Sequence, residues 1–128
     1  MDDFASVHGY IQDLLYGLGI TAKYTGFFYT SCAVHLAVQQ PERLLLITKW
    51  LYPEVARQYR TTWSNVEKNI RFVAAVAWEL RRDKLTDIAK FDLNHRPSNS
   101  QFISILTKHI QNTILTSEEA TSLASQIS

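Results

Sequence analysis

The residues best able to do chemistry in this sequence lie between positions 62 and 82, where polar side chains recur at a helical spacing. A helix turns about 100° per residue, so these side chains gather opposite an apolar stripe of Val66, Ile70 and Val73. Asparagine pairs with adenine, arginine and lysine donate to guanine, and glutamate accepts from cytosine. The polar face consists of Ser64, Asn65, Lys68, Arg71, Phe72 and Ala75, with Glu67 at its flank. Base recognition is one interpretation, and the solvated face of an ordinary surface helix is the other.

Phe72 favours a binding surface, because an aromatic side chain in the middle of a polar face rarely belongs to the core. Such a ring can meet a thymine methyl group, a partner protein or a neighbouring helix. The charge of the chain is also segregated, although its formal net charge is only +1. Between positions 57 and 71 four basic residues stand against Glu67 alone, whereas the stretch from Thr113 onward has Glu118 and Glu119 and no base.

Other kinds of functional site lack the residues they need. The four histidines have no ligand spacing and one cysteine cannot make a structural zinc site, so we expect no metal. Cys32 lies among apolar residues, which predicts a buried, unreactive thiol. All four glycines precede position 27, which excludes a glycine-rich phosphate loop, and ordinary ion pairs explain Asp83 and Asp87 better than catalysis does. We expect neither an enzyme nor a bound cofactor.

The apolar periodicity predicts an all-α, compact multi-helix fold. A first helix is expected over 4–18, capped by Asp2 or Asp3. A second is expected over 25–40, stopping before Pro41 because a residue that precedes proline avoids the helical conformation. The run over 44–51 is too densely apolar for a surface helix, so we expect a short central helix that ends at Pro53.

A helix-turn-helix is predicted over about 53–82. Pro53, a residue type favoured at the first helical position, opens a short helix to about Arg60. After two threonines, the longest helix of the chain is expected over 62–82, with Thr62 as its N-cap or Ser64 and Glu67 as a capping box. The second helix of such a motif enters the major groove. Most helical domains contain a pair of this kind, so the layout alone is a weak indication.

The last third of the chain is predicted to hold three further helices. The first is brief, over 84–90, and the next follows a capping box from Ser98 to Gln101. Thr116 to Glu119 then cap a separate C-terminal extension over about 116–127. A helix this short is marginal by itself, so we expect it to cover the core of its own domain or to join two protomers.

Length and composition indicate a single domain over residues 1–128. The apolar share of 46% and the charged share of 20% exclude a disordered chain. No apolar run approaches the roughly 18 residues needed to cross a bilayer, and the N-terminus lacks the features of a secretory signal. With a single cysteine, these features favour a cytoplasmic protein without membrane association.

A set of segments carries a family resemblance. They are Ile47-Thr48-Lys49, Leu51-Tyr52-Pro53, Thr61-Thr62, Ser64, Val66-Glu67, Ile70-Arg71 and Ala77-Trp78. Gly26 with its aromatic neighbours, and the stretch over 97–103, extend the likeness to about residues 5–111. In order and spacing they resemble the C-terminal effector domain of the sporulation initiation response regulator. That family has a phosphoacceptor receiver domain before this one, so a chain starting here is either a fragment or a protein without its own phosphorylation input.

The resemblance implies a helical domain that binds a short operator box as adjacent copies, with the longer helix of the pair in the major groove. The match keeps Glu67, Arg71 and the turn at 61–62. The family has arginine where this chain has Asn65 and Lys68, and histidine where it has Phe72. Because lysine keeps the charge but not the planar fork of arginine, we expect a weakened or altered sequence preference.

We therefore predict a transcriptional regulator that reads duplex DNA. A homodimer on the DNA is expected, and RNA polymerase or a regulator of the same family is a candidate protein partner. Base contacts are predicted from Asn65, Glu67, Lys68, Arg71 and Phe72. Phosphate contacts are predicted from Lys49, Arg57, Arg60, Thr61, Thr62 and Ser64. The alternative is a relative that has lost operator recognition and binds a protein through the same helix face or the C-terminal tail.

Overall fold

The computed structural model describes the backbone of residues 3–127 and the side chains of residues 7–126, and every regular element in that part of the chain is helical. The all-α prediction is confirmed. The α-helices are α1 (Asp3–Gly17), α2 (Thr25–Gln39), α3 (Tyr52–Gln58), α4 (Trp63–Leu80), α5 (Arg82–Ala89) and α6 (Asn99–Ile127). A 3₁₀-helix (Pro41–Leu46) and a π-helix (Ile47–Leu51) connect α2 to α3. The predicted cap is Asp2 or Asp3, and Asp2 and the side chain of Asp3 both lie outside the described residues.

Helix α2 is the central element of the fold. Its buried residues lie on all sides of the helix, and Phe27, Ala33, Val34 and Ala37 are almost fully enclosed. It contacts α1, α4 and α6, so its small and aromatic side chains fill the space between three neighbours. The helix ends at Gln39, before Pro41, as the sequence predicts.

The expectation of a short central helix over 44–51 is wrong. Leu45 is 82% exposed and Leu46 is 48% exposed, and only Ile47 and Leu51 in this run are buried. A dense apolar run has no period from which a buried face can be read, and here the 3₁₀ and π geometry directs two leucines outward. The predicted end of helical structure at Pro53 is also absent. The chain continues from the π-helix directly into α3, where Pro53 occupies the first turn.

Helix α4 follows the predicted pattern closely. Thr62 is its N-cap, because Thr62 Oγ1 accepts a hydrogen bond of 3.1 Å from the backbone N–H of Asn65. The apolar stripe of Val66, Ile70 and Val73 is fully buried. The chain then turns at Arg81 into α5, whose C-cap, Lys90, adopts the left-handed conformation.

Helix α6 differs from the prediction in its length. Ser98 and Gln101 form the predicted capping box, in which each side chain bonds the backbone N–H of the other. The helix then continues to Ile127, so it has 29 residues and is longer than α4, which has 18. The separate helix over 116–127 is wrong. No glycine or proline follows Pro97, and the Thr-Ser-Glu-Glu stretch is tolerated inside a helix as well as at its start.

The end of α6 does not cover the core. We name residues 115–126 the distal segment; all of them are exposed except half-buried Ser117, and Leu115 and Leu123 are 55% and 60% exposed. The core side of α6 is Phe102, Ile103, Leu106 and Ile110. A hydrogen bond of 3.3 Å from Tyr10 Oη to Ser117 Oγ joins the distal segment to α1. The expectation that this segment covers the core of its own domain is therefore wrong.

Candidate nucleic-acid interface

The candidate interface is built on α3, a four-residue turn over 59–62, and α4. Val55 and Ala56 of α3 are buried at the junction with α4. Within the turn, Arg60 adopts a left-handed backbone with φ of 54°, and the N–H of Thr61 donates to the carbonyl of Ala56 at 2.9 Å. This closes α3 and lets α4 start at once, in the order of a helix-turn-helix.

Helix α4 is seated against α2 at very short range. A Cβ atom added at Gly26 would lie against the carbonyl oxygen of Asn69 and 2.7 Å from Val73 Cγ1, so only glycine allows this approach. On either side of this point Tyr24 contacts Phe72 and Tyr29 contacts Asn65. Residues with higher numbers in α2 contact residues with lower numbers in α4, so the two helices run antiparallel.

Asn65 is half-buried, and its side chain is hydrogen-bonded within the protein. Its Nδ2 donates to Tyr29 Oη at 3.2 Å and to Thr61 Oγ1 at 3.0 Å. Its Oδ1 and its backbone carbonyl accept from Asn69 Nδ2 at 3.0 Å and 2.8 Å. The side chain therefore links α2, the turn and the second turn of α4.

Glu67 and Arg71 form an ion pair one helical turn apart on the outer side of α4. The Arg71 side chain is 50% exposed and the Glu67 side chain 34% exposed, so both are accessible to a ligand. Behind them, Asn99 Nδ2 donates to the backbone carbonyl of Glu67 at 2.9 Å, which ties α4 to the start of α6. Asn99 also hydrogen-bonds Tyr52, whose pKa is raised by burial despite this bond. Tyr52 therefore stays neutral at physiological pH.

Two other predicted base-contacting residues lie on the same outer side. Lys68 is exposed, and no ion pair of its ammonium group is present within the described side chains. Phe72 is 55% exposed, and its ring packs edge-on against that of Tyr24 with centroids 5.6 Å apart. The ring is thus partly held by a neighbouring helix and partly presented to solvent.

The predicted phosphate-contacting residues surround the turn. Arg60, Thr62 and Ser64 are exposed at the end of α3 and the start of α4, and Thr61 is half-buried there. Arg57 is exposed on α3 and paired with Glu54. Lys49 is exposed on the π-helix that precedes α3. Most of this set is therefore adjacent in the chain to the α4 face.

Sequence reasoning missed the residues that hold this surface from behind. Tyr29, Asn69, Asn99 and Tyr24 were not singled out as partners of the face, and the role of Gly26 was not recognised. One signal was available: Asn69 follows Asn65 by one helical turn, a spacing at which two amides can bond. The pairing of Asn65 with Tyr29 spans 36 residues, and no local pattern predicts it.

Apart from the α4 face, a cavity lies between α1, α2 and the end of α3. It has a volume of about 370 Å³ and is lined by His8, His35, Cys32, Phe28 and Tyr59, among others. Burial raises the pKa of Cys32 to about 11, with the nearby Glu54 carboxylate adding to the effect, so the thiol is neutral at physiological pH. The predicted full burial of Cys32 is wrong, because the residue is only half-buried, while its raised pKa agrees with the predicted low reactivity.

The described residues offer neither a metal-binding cluster nor a membrane-spanning helix. No three of their histidine, cysteine, aspartate and glutamate side chains are grouped so that they could hold a metal ion. None of the helices in this part of the chain is long and apolar enough to cross a membrane.

A comparison with known families gives a match over most of the chain. The family model described as "Sporulation initiation factor Spo0A C terminal" matches residues 11–110. This interval contains α3, the turn and all of α4, and it ends inside α6. The distal segment of α6 lies beyond the match.

Proposed function

The chain belongs to the Spo0A C-terminal family of DNA-binding sporulation regulators, and from this membership and the α4 geometry we propose that it reads duplex DNA with α4 in the major groove. The family is one of transcriptional effector domains and is not known as a family of enzymes. We further propose that residues 1–128 act as one domain and that two copies bind adjacent sites on the DNA.

The observation that carries the proposal is the polar, basic face of α4, whose opposite side is packed against the rest of the protein. The major groove, about 12 Å wide, admits one α-helix, and its base edges offer acceptors to lysine and arginine and donors to glutamate. Lys68, Arg71 and Glu67 are all accessible on the outer side of α4. The opposite side is closed against α2 at Gly26 and against α6 at Asn99. A surface held in this way can recognise bases without first being ordered.

Base contacts are proposed from Glu67, Lys68, Arg71 and Phe72, the last against a thymine methyl group. The Glu67–Arg71 ion pair orients both groups in the free protein, and each retains capacity for a base edge. Because Lys68 presents a single ammonium group and not a planar fork, we expect a weaker discrimination of guanine at that position than an arginine would give.

Phosphate contacts are proposed from the residues that surround the turn. The start of α4 presents backbone N–H groups and the positive end of the helix dipole, which suits a phosphate group. Ser64 and Arg60 are exposed beside it, with Thr61 and Thr62 in the same turn. Arg57 and Lys49 would contribute from α3 and from the π-helix before it. These contacts position the protein, and the α4 side chains supply the sequence preference.

The experiment is a fluorescence-anisotropy titration with a duplex that carries the family's operator box and a scrambled duplex, each at low and near-physiological salt. We expect preferential binding that weakens steeply with salt, because phosphate contacts release counterions. Arg71→Ala should weaken operator binding about tenfold or more. Arg82→Ala is the matched control, since Arg82 lies in α5 and stacks on Trp78. Equal binding of both duplexes, or equal effects of the two variants, would contradict the proposal.

A second candidate function rests on Phe72. A ring that is 55% exposed in the middle of a polar face is also suited to a protein interface, for example on RNA polymerase or a regulator of the same family. In that case neither duplex would bind even at low salt. Salt separates the two functions, because an apolar protein interface depends little on ionic strength.

A further inference from the structure

We propose that Asn65 is a positioning residue, a hydrogen-bonding hub that orients the start of α4 for base recognition, and that it does not itself contact a base. The inference rests on the proposed function of α4. It assigns a role to a side chain that the residue pattern alone places among the base-contacting groups.

The hydrogen-bonding capacity of Asn65 is already used within the protein. An asparagine amide has two N–H donors, and both are engaged, with Tyr29 Oη at 3.2 Å and Thr61 Oγ1 at 3.0 Å. Its Oδ1 accepts from Asn69 Nδ2 at 3.0 Å. Bidentate pairing with adenine needs one N–H donor and the Oδ1 together. Asn65 could read adenine only by giving up at least one of these bonds.

The partners of Asn65 belong to three different parts of the fold. Tyr29 is a buried residue of α2, 7% exposed, and its ring packs edge-on against that of Tyr59 at the end of α3. Thr61 lies in the turn, and Asn69 lies one turn further along α4. The amide therefore sets the rotation of the first two turns of α4 relative to both α2 and the turn. Lys68 lies within those turns and Arg71 directly after them, so the placement of both depends on the hub.

A base-contacting role and a positioning role predict different patterns of DNA binding. Loss of a base contact removes the preference at one base pair and leaves the other positions unchanged. Loss of a positioning contact weakens recognition at all positions together, because every base-contacting side chain shifts with the helix. Tyr29 distinguishes the two, since its hydroxyl bonds Asn65 but its buried ring is part of the core.

The test compares Asn65→Ala, Tyr29→Phe and the double variant in affinity for a set of operators with each base pair changed in turn. We expect each single variant to weaken operator binding about three- to tenfold, as for the loss of one or two hydrogen bonds. The double variant should be little worse than Asn65→Ala, and the order of preference at every base pair should be unchanged. Tyr10→Phe is the matched control, because its hydroxyl bonds Ser117 on the distal segment of α6, and it should bind as the unmodified protein does.

Two results would overturn the inference. In the first, Asn65→Ala loses its preference at a single base pair while Tyr29→Phe binds normally, which would make Asn65 a base reader. In the second, the shifts in urea midpoint of Tyr29→Phe and Asn65→Ala add fully in the double variant, which would show that the two side chains do not act together. The urea measurement needs no DNA. If no duplex binds the unmodified protein, the proposed function fails, and the coupling of Tyr29 with Asn65 is still decided.

Discussion

Helix α4 and the distal segment of α6 both expose one side to solvent, but they differ in what holds the other side. Behind the polar face of α4 are fully buried Val66, Ile70 and Val73 and the close approach at Gly26. Within the distal segment no residue is buried, and the bond from Tyr10 to Ser117 is a contact at its start. Exposure alone therefore does not identify a binding surface. A surface that reads another molecule must also be held in place, and α4 meets this condition.

The largest expected effect is on the free energy of unfolding, and it distinguishes the core-packed part of α6 from the distal segment. Leu106 is fully buried, so Leu106→Ala removes core contacts and leaves a cavity, at a cost of about 2–5 kcal/mol in the free energy of unfolding. Leu123 is 60% exposed in the distal segment, and Leu123→Ala should change that free energy by no more than about 0.5 kcal/mol. Urea unfolding monitored by circular dichroism measures both. A large cost for Leu123→Ala would show that the distal segment is covered in solution.

The next effect on stability tests the close packing of α4 against α2 at Gly26. Gly26→Ala forces a methyl group against the carbonyl of Asn69 and the side chain of Val73, and we expect a loss of about 1–3 kcal/mol. Gly9→Ala is the matched control, because a Cβ atom at Gly9 meets nothing within 4 Å. Since Gly9 lies inside α1, the control should instead gain about 0.5–1 kcal/mol. Chemical denaturation of the two variants compares them directly. Equal stability would mean that α2 and α4 are further apart than described.

The parts of this fold that could be predicted are those governed by local hydrogen bonding. Thr62 as the cap of α4, the reciprocal bonds of Ser98 and Gln101, and the end of α2 before Pro41 all depend on neighbours within a few residues. The exposure of Leu45 could not be predicted, because it depends on which side of the 3₁₀ segment faces the rest of the molecule. The continuity of α6 was missed because a capping sequence also fits the interior of a helix.

In the candidate site, too, features set by local sequence could be predicted, and features set by contacts between distant residues could not. The outward placement of Lys68 and Arg71 follows from helical periodicity and is present in the structure. The inward bonding of Asn65 depends on Tyr29, which is brought to it by the packing of α2 on α4. A helical wheel assigns a residue at the edge of a face to solvent, whereas tertiary contacts decide whether its side chain is available.

A smaller effect on the free energy of unfolding is expected from two threonine substitutions, one at the start of a helix and one inside a helix. Thr62 accepts from the N–H of Asn65, so Thr62→Ala leaves a helix donor without its cap and should cost about 1 kcal/mol in the free energy of unfolding. Thr116 lies within α6, where alanine has the higher helix propensity, and Thr116→Ala should be neutral or slightly stabilising. Thermal unfolding of the two variants checks this. If Thr116→Ala were as destabilising as Thr62→Ala, a helix would begin near Thr116 and α6 would be two helices.

The smallest effect concerns His109, which lies on α6 just before the exposed distal segment. Burial lowers the pKa of His109 from its ordinary 6.5, and the nearby Lys84 and Lys90 lower it further, while Asp87 opposes them. Between the lowered pKa and 6.5 the unfolded chain binds more protons than the folded protein. Stability should therefore be fully present above pH 6.5 and decrease as the pH falls towards the lowered value.

The measurement is the urea midpoint at a series of pH values from 7.5 to about 5, for the unmodified protein and for His109→Gln. Removal of the imidazole should make the dependence on pH shallower, because one proton-linked group is lost. An unchanged profile for His109→Gln would mean that this part of α6 is open to solvent like the distal segment, and the boundary between the two parts of the helix would then lie closer to Leu106.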